Sequence, residues 1–191
     1  ISYHDKDQLA FSRQERVPVL VDGDTVVTDS WKIACYLEEA YPDAPSLFGN
    51  DIACGMGLAF NRWCDHVLLG SLFLVCTPGT FDVTQEEDKP YFAQSRFEWT
   101  GKTIDEIRAM ETHALDTHNK ALEPLRQTLM EQPFISGANP AFSDYCVMGG
   151  LMWAKTTYAG SILDDNDPVE AWRQKMLDLF DGLGRGTPGL T

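Results

Sequence analysis

Arg16-Val17-Pro18-Val19-Leu20-Val21-Asp22-Gly23-Asp24-Thr25-Val26-Val27-Thr28-Asp29-Ser30-Trp31 packs two strand signals, a turn and a helix start into one short stretch. Val19, Leu20 and Val21 stand before Asp22-Gly23-Asp24, and Thr25, Val26 and Val27 stand after it, which is the local signature of a hairpin. Ser30 reads as the N-cap of the next helix, where Ile33, Ala34, Leu37, Ala40 and Tyr41 recur at helical spacing until Pro42 ends the pattern.

Asp29 and Ser30 are thereby placed at a helix N-terminus, where free N–H groups and the positive end of the dipole suit a carboxylate. The Asp29 carboxylate beside them suits an ammonium group, so the pair matches the head of an amino acid; an ordinary structural cap accounts for the same residues. Pro18 is placed either as an edge residue of the strand or as the second residue of a cis bond that turns the Val17 backbone toward an extended peptide.

The chain has 191 residues, with 15 basic against 29 acidic side chains and a net charge of −14. That length supports a proper core, as one domain or as a small domain joined to a larger one. The charge repels a phosphate backbone and argues against nucleic-acid partners. Cys35, Cys54, Cys64, Cys76 and Cys146 are odd in number, lack Cys-x-x-Cys spacing and form no zinc pattern with histidine, so reduced, buried thiols and no metal are expected. The apolar run from Val67 to Cys76 is shorter than a bilayer span and is broken by Gly70 and Ser71. No charged-then-apolar leader opens the sequence, so no membrane partner and a cytoplasmic location are expected.

Beyond Pro42 the hairpin pattern gives way to helical ones, across a stretch to Asn50 that reads as a linker. A helix is expected from Ile52 to Cys76, ended by Thr77-Pro78-Gly79. A second spans Lys89 to Trp99, with Asp88 near its cap and Gly101 after it. Thr103 and Glu106 form a capping box opening a segment to Met130, which Pro124 should kink or restart. Ala141 to Tyr158 is an apolar helix carrying Asp144, with Ser143 as a cap if that helix is shorter. The last helix opens at Asp167-Pro168 and carries Val169, Trp172, Met176, Leu179, Phe180 and Leu183 on one stripe.

The Val-Pro entering a hairpin, the Asp-Ser opening a helix and the Tyr41-Pro42 closing it resemble the second half of a glutathione transferase N-terminal domain. The resemblance implies that fold: a partial thioredoxin-like α/β unit over residues 1–42, then an all-α domain over 50–191. It implies that Val17 and Pro18 meet the cysteinyl unit of glutathione, and that Asp29 and Ser30 take its γ-glutamyl end. The chain opens without an initiator methionine and runs into a polar stretch from Asp5 to Glu15. On this resemblance the first strand and helix, roughly 30 or more residues, would lie upstream together with the catalytic serine, tyrosine or cysteine, leaving the catalytic residue unassigned.

Glu15 to Val19, Asp29-Ser30-Trp31, Ser46-Leu47-Phe48, Leu122 to Arg126 and Phe180 to Arg185 resemble, more narrowly, glutathione-dependent β-etherases of lignin-degrading bacteria and the etherase-like transferases of fungi. That implies a homodimer using glutathione as co-substrate against lignin-derived aromatics, with Phe60, Trp63 and Trp153 as candidates for the aromatic pocket. A general conjugating enzyme, a non-catalytic ligand-binding protein and an interaction module of the same fold are the alternatives. His66, His113 and His118 are read as solvated or satisfied, and Cys35, Cys64 and Trp31 as packing.

Overall fold

The computed structural model describes residues 2–3 and 5–190. Lys6–Ser12 winds as a 3-10 turn. The hairpin then forms as patterned: β1 (Val19–Asp22) and β2 (Thr25–Thr28) pair antiparallel, with Leu20 opposite Val27 and Val21 opposite Val26. Gly23 makes the tight turn at φ +57°, a conformation that costs glycine little. Helix α1 (Ser30–Ala40) folds back on the hairpin. Its Tyr36 and the following Tyr41 both donate hydroxyl bonds to Asp22 Oδ2, at 2.9 and 2.6 Å, and these bonds hold the Asp22 carboxyl below its usual range.

Helices fill the rest: α2 (Asp51–Trp63), α3 (Leu69–Val83), α4 (Lys89–Thr100), α5 (Ile104–Arg108), α6 (Glu111–Ala121), α7 (Glu123–Glu131), α8 (Phe142–Thr157) and α9 (Pro168–Gly186). One π turn, Cys64–Leu68, joins α2 to α3, with the Leu69 N–H donating to the Cys64 carbonyl. The core sits between this long helical stretch and α7, α8 and α9, where Leu68, Leu122, Val147, Leu151, Val169 and Trp172 are fully or almost fully buried. Each such aliphatic or aromatic side chain contributes roughly 1.5–3 kcal/mol through its burial.

At the centre of that core lies Asp144. Its carboxylate accepts from the N–H groups of Ile135 (2.8 Å), Ser136 (3.1 Å) and Ala141 (3.1 Å), and from the Trp172 indole N–H (2.9 Å). Ala141 has no side-chain oxygen to cap α8, so the aspartate alone organises the turn before it; Ser143 lies inside the helix and does not cap it. The Thr103–Glu106 capping box forms in both directions. Asp88 does not cap α4; its carboxylate accepts from Ser2 Oγ and the Tyr3 N–H.

Three expectations change. Thr77-Pro78-Gly79 does not end the first long helix, which continues to Val83. Thr77 and Thr80 hydroxyls bond back to the Phe73 and Cys76 carbonyls at 2.6 and 2.8 Å, and Gly79 allows α8 to approach so closely that a Cβ there would lie 1.5 Å from the Thr157 carbonyl oxygen. The uninterrupted helical stretch Asp51–Val83 is therefore long and apolar enough by composition to cross a membrane, where the Val67–Cys76 run alone was not. Its inward residues Cys64, Leu68, Leu72, Val75 and Cys76 are buried against the neighbouring helices.

In the segment from Thr103 to Met130, Pro124 restarts the chain in the first turn of α7 as expected, but a further break at Ala109–Met110 divides the part before it into α5 and α6. The stripe of α9 ends early, because Leu179 to Gly182 leave helical geometry, and Phe180 and Leu183 are 68% and 71% exposed.

Candidate functional site

The corner where the hairpin meets α1 brings Val17, Pro18, Asp29 and Ser30 together. The Val17–Pro18 peptide is cis, and Val17 is 66% exposed just ahead of β1. Gln14 reaches the Pro18 carbonyl with its amide at 3.2 Å and ties the preceding segment to this point. Only the fold could reveal it, since a glutamine five residues before a strand carries no signal of its own.

Asp29, and not Ser30, is the N-cap. Its Oδ1 accepts the Lys32 N–H at 3.1 Å, its carbonyl accepts the Ile33 N–H at 2.9 Å, and Ser30 is the first helical residue. Both residue types cap well, and the geometry that decides between them is the backbone of Asp29, at φ +76° and ψ +127°. A non-glycine residue held there costs about 1–3 kcal/mol, and such residues cluster at active sites, ligand clamps and switch regions. With Lys32 and Ile33 served by Asp29, the N–H groups of Ser30 and Trp31 have no intrahelical partner and stand at the positive end of the helix.

Trp31 joins this corner to the helical part. Its ring packs 5.1 Å from Phe48 and 5.3 Å from Phe142, and those two rings lie 5.1 Å apart. Phe48 and Phe142 also line an open, mainly apolar cavity of about 510 Å³, together with Met56, Phe60, Trp63 and Pro124. Phe60 and Trp63 therefore share one wall, with ring centroids 5.3 Å apart. Trp153 does not join them: its indole N–H donates to Thr80 Oγ1 at 2.9 Å, and it packs beside Leu72, Val75 and Cys76.

Burial raises the Cys64 and Cys146 thiols to about 12 and Cys76 to about 11, which leaves all three as packing groups. His118 is fully buried, and desolvation, followed by the charge of Arg126, lowers it to about 4. Ser71 Oγ donates to the Leu68 carbonyl at 2.7 Å and lies 2.8 Å from His118 Nδ1, while His118 Nε2 has no partner. That histidine is only half satisfied, contrary to the expectation from sequence. Among the described residues no cluster of His, Cys, Asp or Glu could hold a metal ion.

Comparisons with known proteins bear on the family and the fold. A profile described as "Glutathione S-transferase, C-terminal domain" matches residues 55–178, and one described as "Glutathione S-transferase, N-terminal domain" matches residues 2–45. The chain is similar to the glutathione S-transferase-like protein ustS of Aspergillus flavus, 26% identical over 165 residues that cover 81% of this chain and 55% of that protein. The chain thus spans about half the length of that relative. Among solved structures, it resembles glutathione transferase GSTFuA3 of Phanerochaete chrysosporium, with TM-score 0.73 and 22% identity over 95% of this chain and 76% of that one. It also resembles CsGST63524 of Ceriporiopsis subvermispora, solved in complex with glutathione, with TM-score 0.79 and 17% identity over 98% and 84% of the two chains. These likenesses show the fold: a short thioredoxin-like part with two antiparallel strands, followed by a helical domain.

Proposed function

The chain belongs to the glutathione S-transferase family, and from that premise we propose that it holds glutathione at the hairpin–helix corner and presents its thiolate to an aromatic electrophile. In this reading residues 1–42 form the tripeptide-binding unit and 50–191 the helical unit, and the whole acts as a soluble, cytoplasmic homodimer. The observation that carries the proposal is the left-handed Asp29 cap, whose Oδ1 serves Lys32 while the Ser30 and Trp31 N–H groups keep no intrahelical partner. Those groups suit the γ-glutamyl carboxylate, the second oxygen of Asp29 suits the ammonium, and the Val17 backbone suits the extended cysteinyl unit.

The reaction we assign is β-aryl ether cleavage. The glutathione thiolate attacks the carbon that bears the aryloxy group next to a ketone; a C–S bond forms, the C–O bond breaks, and its electron pair leaves on the phenolate. The carbonyl activates the carbon, while the protein supplies orientation of the two reactants. The cavity walled by Phe60 and Trp63 supports an aromatic substrate by its size and apolar lining. Trp153 enters this reading only as a residue supporting the helical wall. Ile52, 81% exposed, and Met56 at the cavity mouth extend an apolar surface that suits the second copy of the dimer.

Two measurements test the proposal. Calorimetry with glutathione is expected to show saturable heat, and its absence removes the glutathione reading. Phenol release from a phenacyl aryl ether is expected for the full-length protein; conjugation of a chloronitrobenzene without ether cleavage moves the assignment to general detoxification.

A further inference from the structure

Helices α1 and α2 meet at a narrow contact beyond the linker, and each carries one cysteine about a turn away from it. Trp31 of α1 packs over Gly57 of α2, where a Cβ would lie 3.7 Å from the indole ring. Cys35 lies one turn beyond Trp31 on the same face of α1, and Cys54 lies one turn before Gly57 on the same face of α2. Both thiols are partly exposed, unlike Cys64 and Cys76 in the core. They stand close enough for Cys54 to act on the ionisation of Cys35, which burial first and Cys54 next raise above the ordinary thiol range.

We propose that Cys35 and Cys54 are a reversible redox pair whose disulfide fastens α1, the helix that opens at the Asp29–Ser30 corner, to α2. The oxidant is a small disulfide such as glutathione disulfide. One cysteine thiolate attacks it and forms a mixed disulfide, expelling one glutathione thiolate. The second cysteine thiolate then attacks the protein-bound sulfur and expels the other. The two cysteines lose two electrons and two protons in total, and one glutathione disulfide becomes two molecules of glutathione. The bond asks the sulfurs to close to about 2.0 Å with Cα atoms within about 7 Å of each other, a demand that the oxidation experiment tests directly.

The experiment uses the intact chain, oxidised with excess glutathione disulfide, quenched with N-ethylmaleimide and digested without reductant. Combined cleavage after Lys32, Glu38, Glu39 and Arg62 leaves each cysteine on its own peptide. The expected product is the two peptides joined, two hydrogens lighter than their sum, separated by dithiothreitol and absent from Cys35→Ser and Cys54→Ser chains. The wild-type result stands without either variant. Full alkylation of both thiols, glutathione held on either as a stable mixed disulfide, Cys35 joined to a third cysteine, or a covalent dimer on a non-reducing gel would each overturn the proposal.

Discussion

The hairpin–helix corner and the helical core are built by opposite means. In the corner, α1 fully buries only Ala34, and it is held by the Trp31 ring against Phe48 and Phe142 and by polar ties from Tyr36 and Tyr41 to Asp22. In the core, Trp172 and Leu68 are sealed from water, and even the buried carboxylate of Asp144 has its acceptor sites filled. Stability is therefore concentrated in the helical core, while the corner keeps a strained Asp29 backbone and unpaired N–H groups that a ligand can use.

The sharpest way to break this contrast is Asp144→Ala. It leaves three backbone donors and one indole without an acceptor, and is expected to cost about 3–5 kcal/mol in urea unfolding. The surviving folded fraction should bind glutathione with unchanged affinity, and a parallel loss of affinity would show that core and corner are not separable. Next comes pH. His118 is expected near 6.5 when unfolded and titrates at about 4 when folded, so the native state resists its protonation. Stability is intact above pH 6.5, falls as pH drops toward 4, and loses roughly 3 kcal/mol at the limit. In His118→Gln that segment of the pH–stability curve should flatten, whereas a slope equal to wild type would place the loss elsewhere.

Gly79→Ala drives a methyl group into the Thr157 carbonyl and should part α3 from α8, costing roughly 1–3 kcal/mol by the same urea measurement. The smallest stability effect belongs to the corner. Asp29→Ala removes one cap and should cost about 1 kcal/mol, yet calorimetry should show glutathione affinity falling at least about tenfold. Asp29→Asn keeps a capping oxygen and should leave stability within about 0.5 kcal/mol while still weakening the ligand. Unaltered binding by both variants would move the site away from this corner.

Much of this was legible in the sequence because the signals are local. The hairpin rests on a glycine turn between apolar runs, and the Thr103–Glu106 box on a spacing of three. Phe60 and Trp63 share a wall because three residues apart means the same helix face. What sequence missed was decided by partners far along the chain. Asp29 and Ser30 are both good caps, and only the backbone angle separates them. Thr77-Pro78-Gly79 looks like a stop until α8 packs against it and threonine hydroxyls bond back to the preceding carbonyls. Trp153 carries the same aromatic signal as Trp63, and nothing within its own helix says that it meets Thr80. Cys35 and Cys54 are separated by a whole linker, and only the fold sets them near each other.

The widened turn at Cys64–Leu68 has a consequence for length variation. A π turn is an α-helix that has absorbed one surplus residue. Losing a residue such as Val67 from it would restore ordinary winding and keep Leu69 to Val83 facing their present neighbours. The same deletion two turns away would swing everything downstream by about 100° and pull Leu72, Val75 and Cys76 out of their seats. Along this helix, the place most forgiving of a one-codon deletion is thus in the middle of the core.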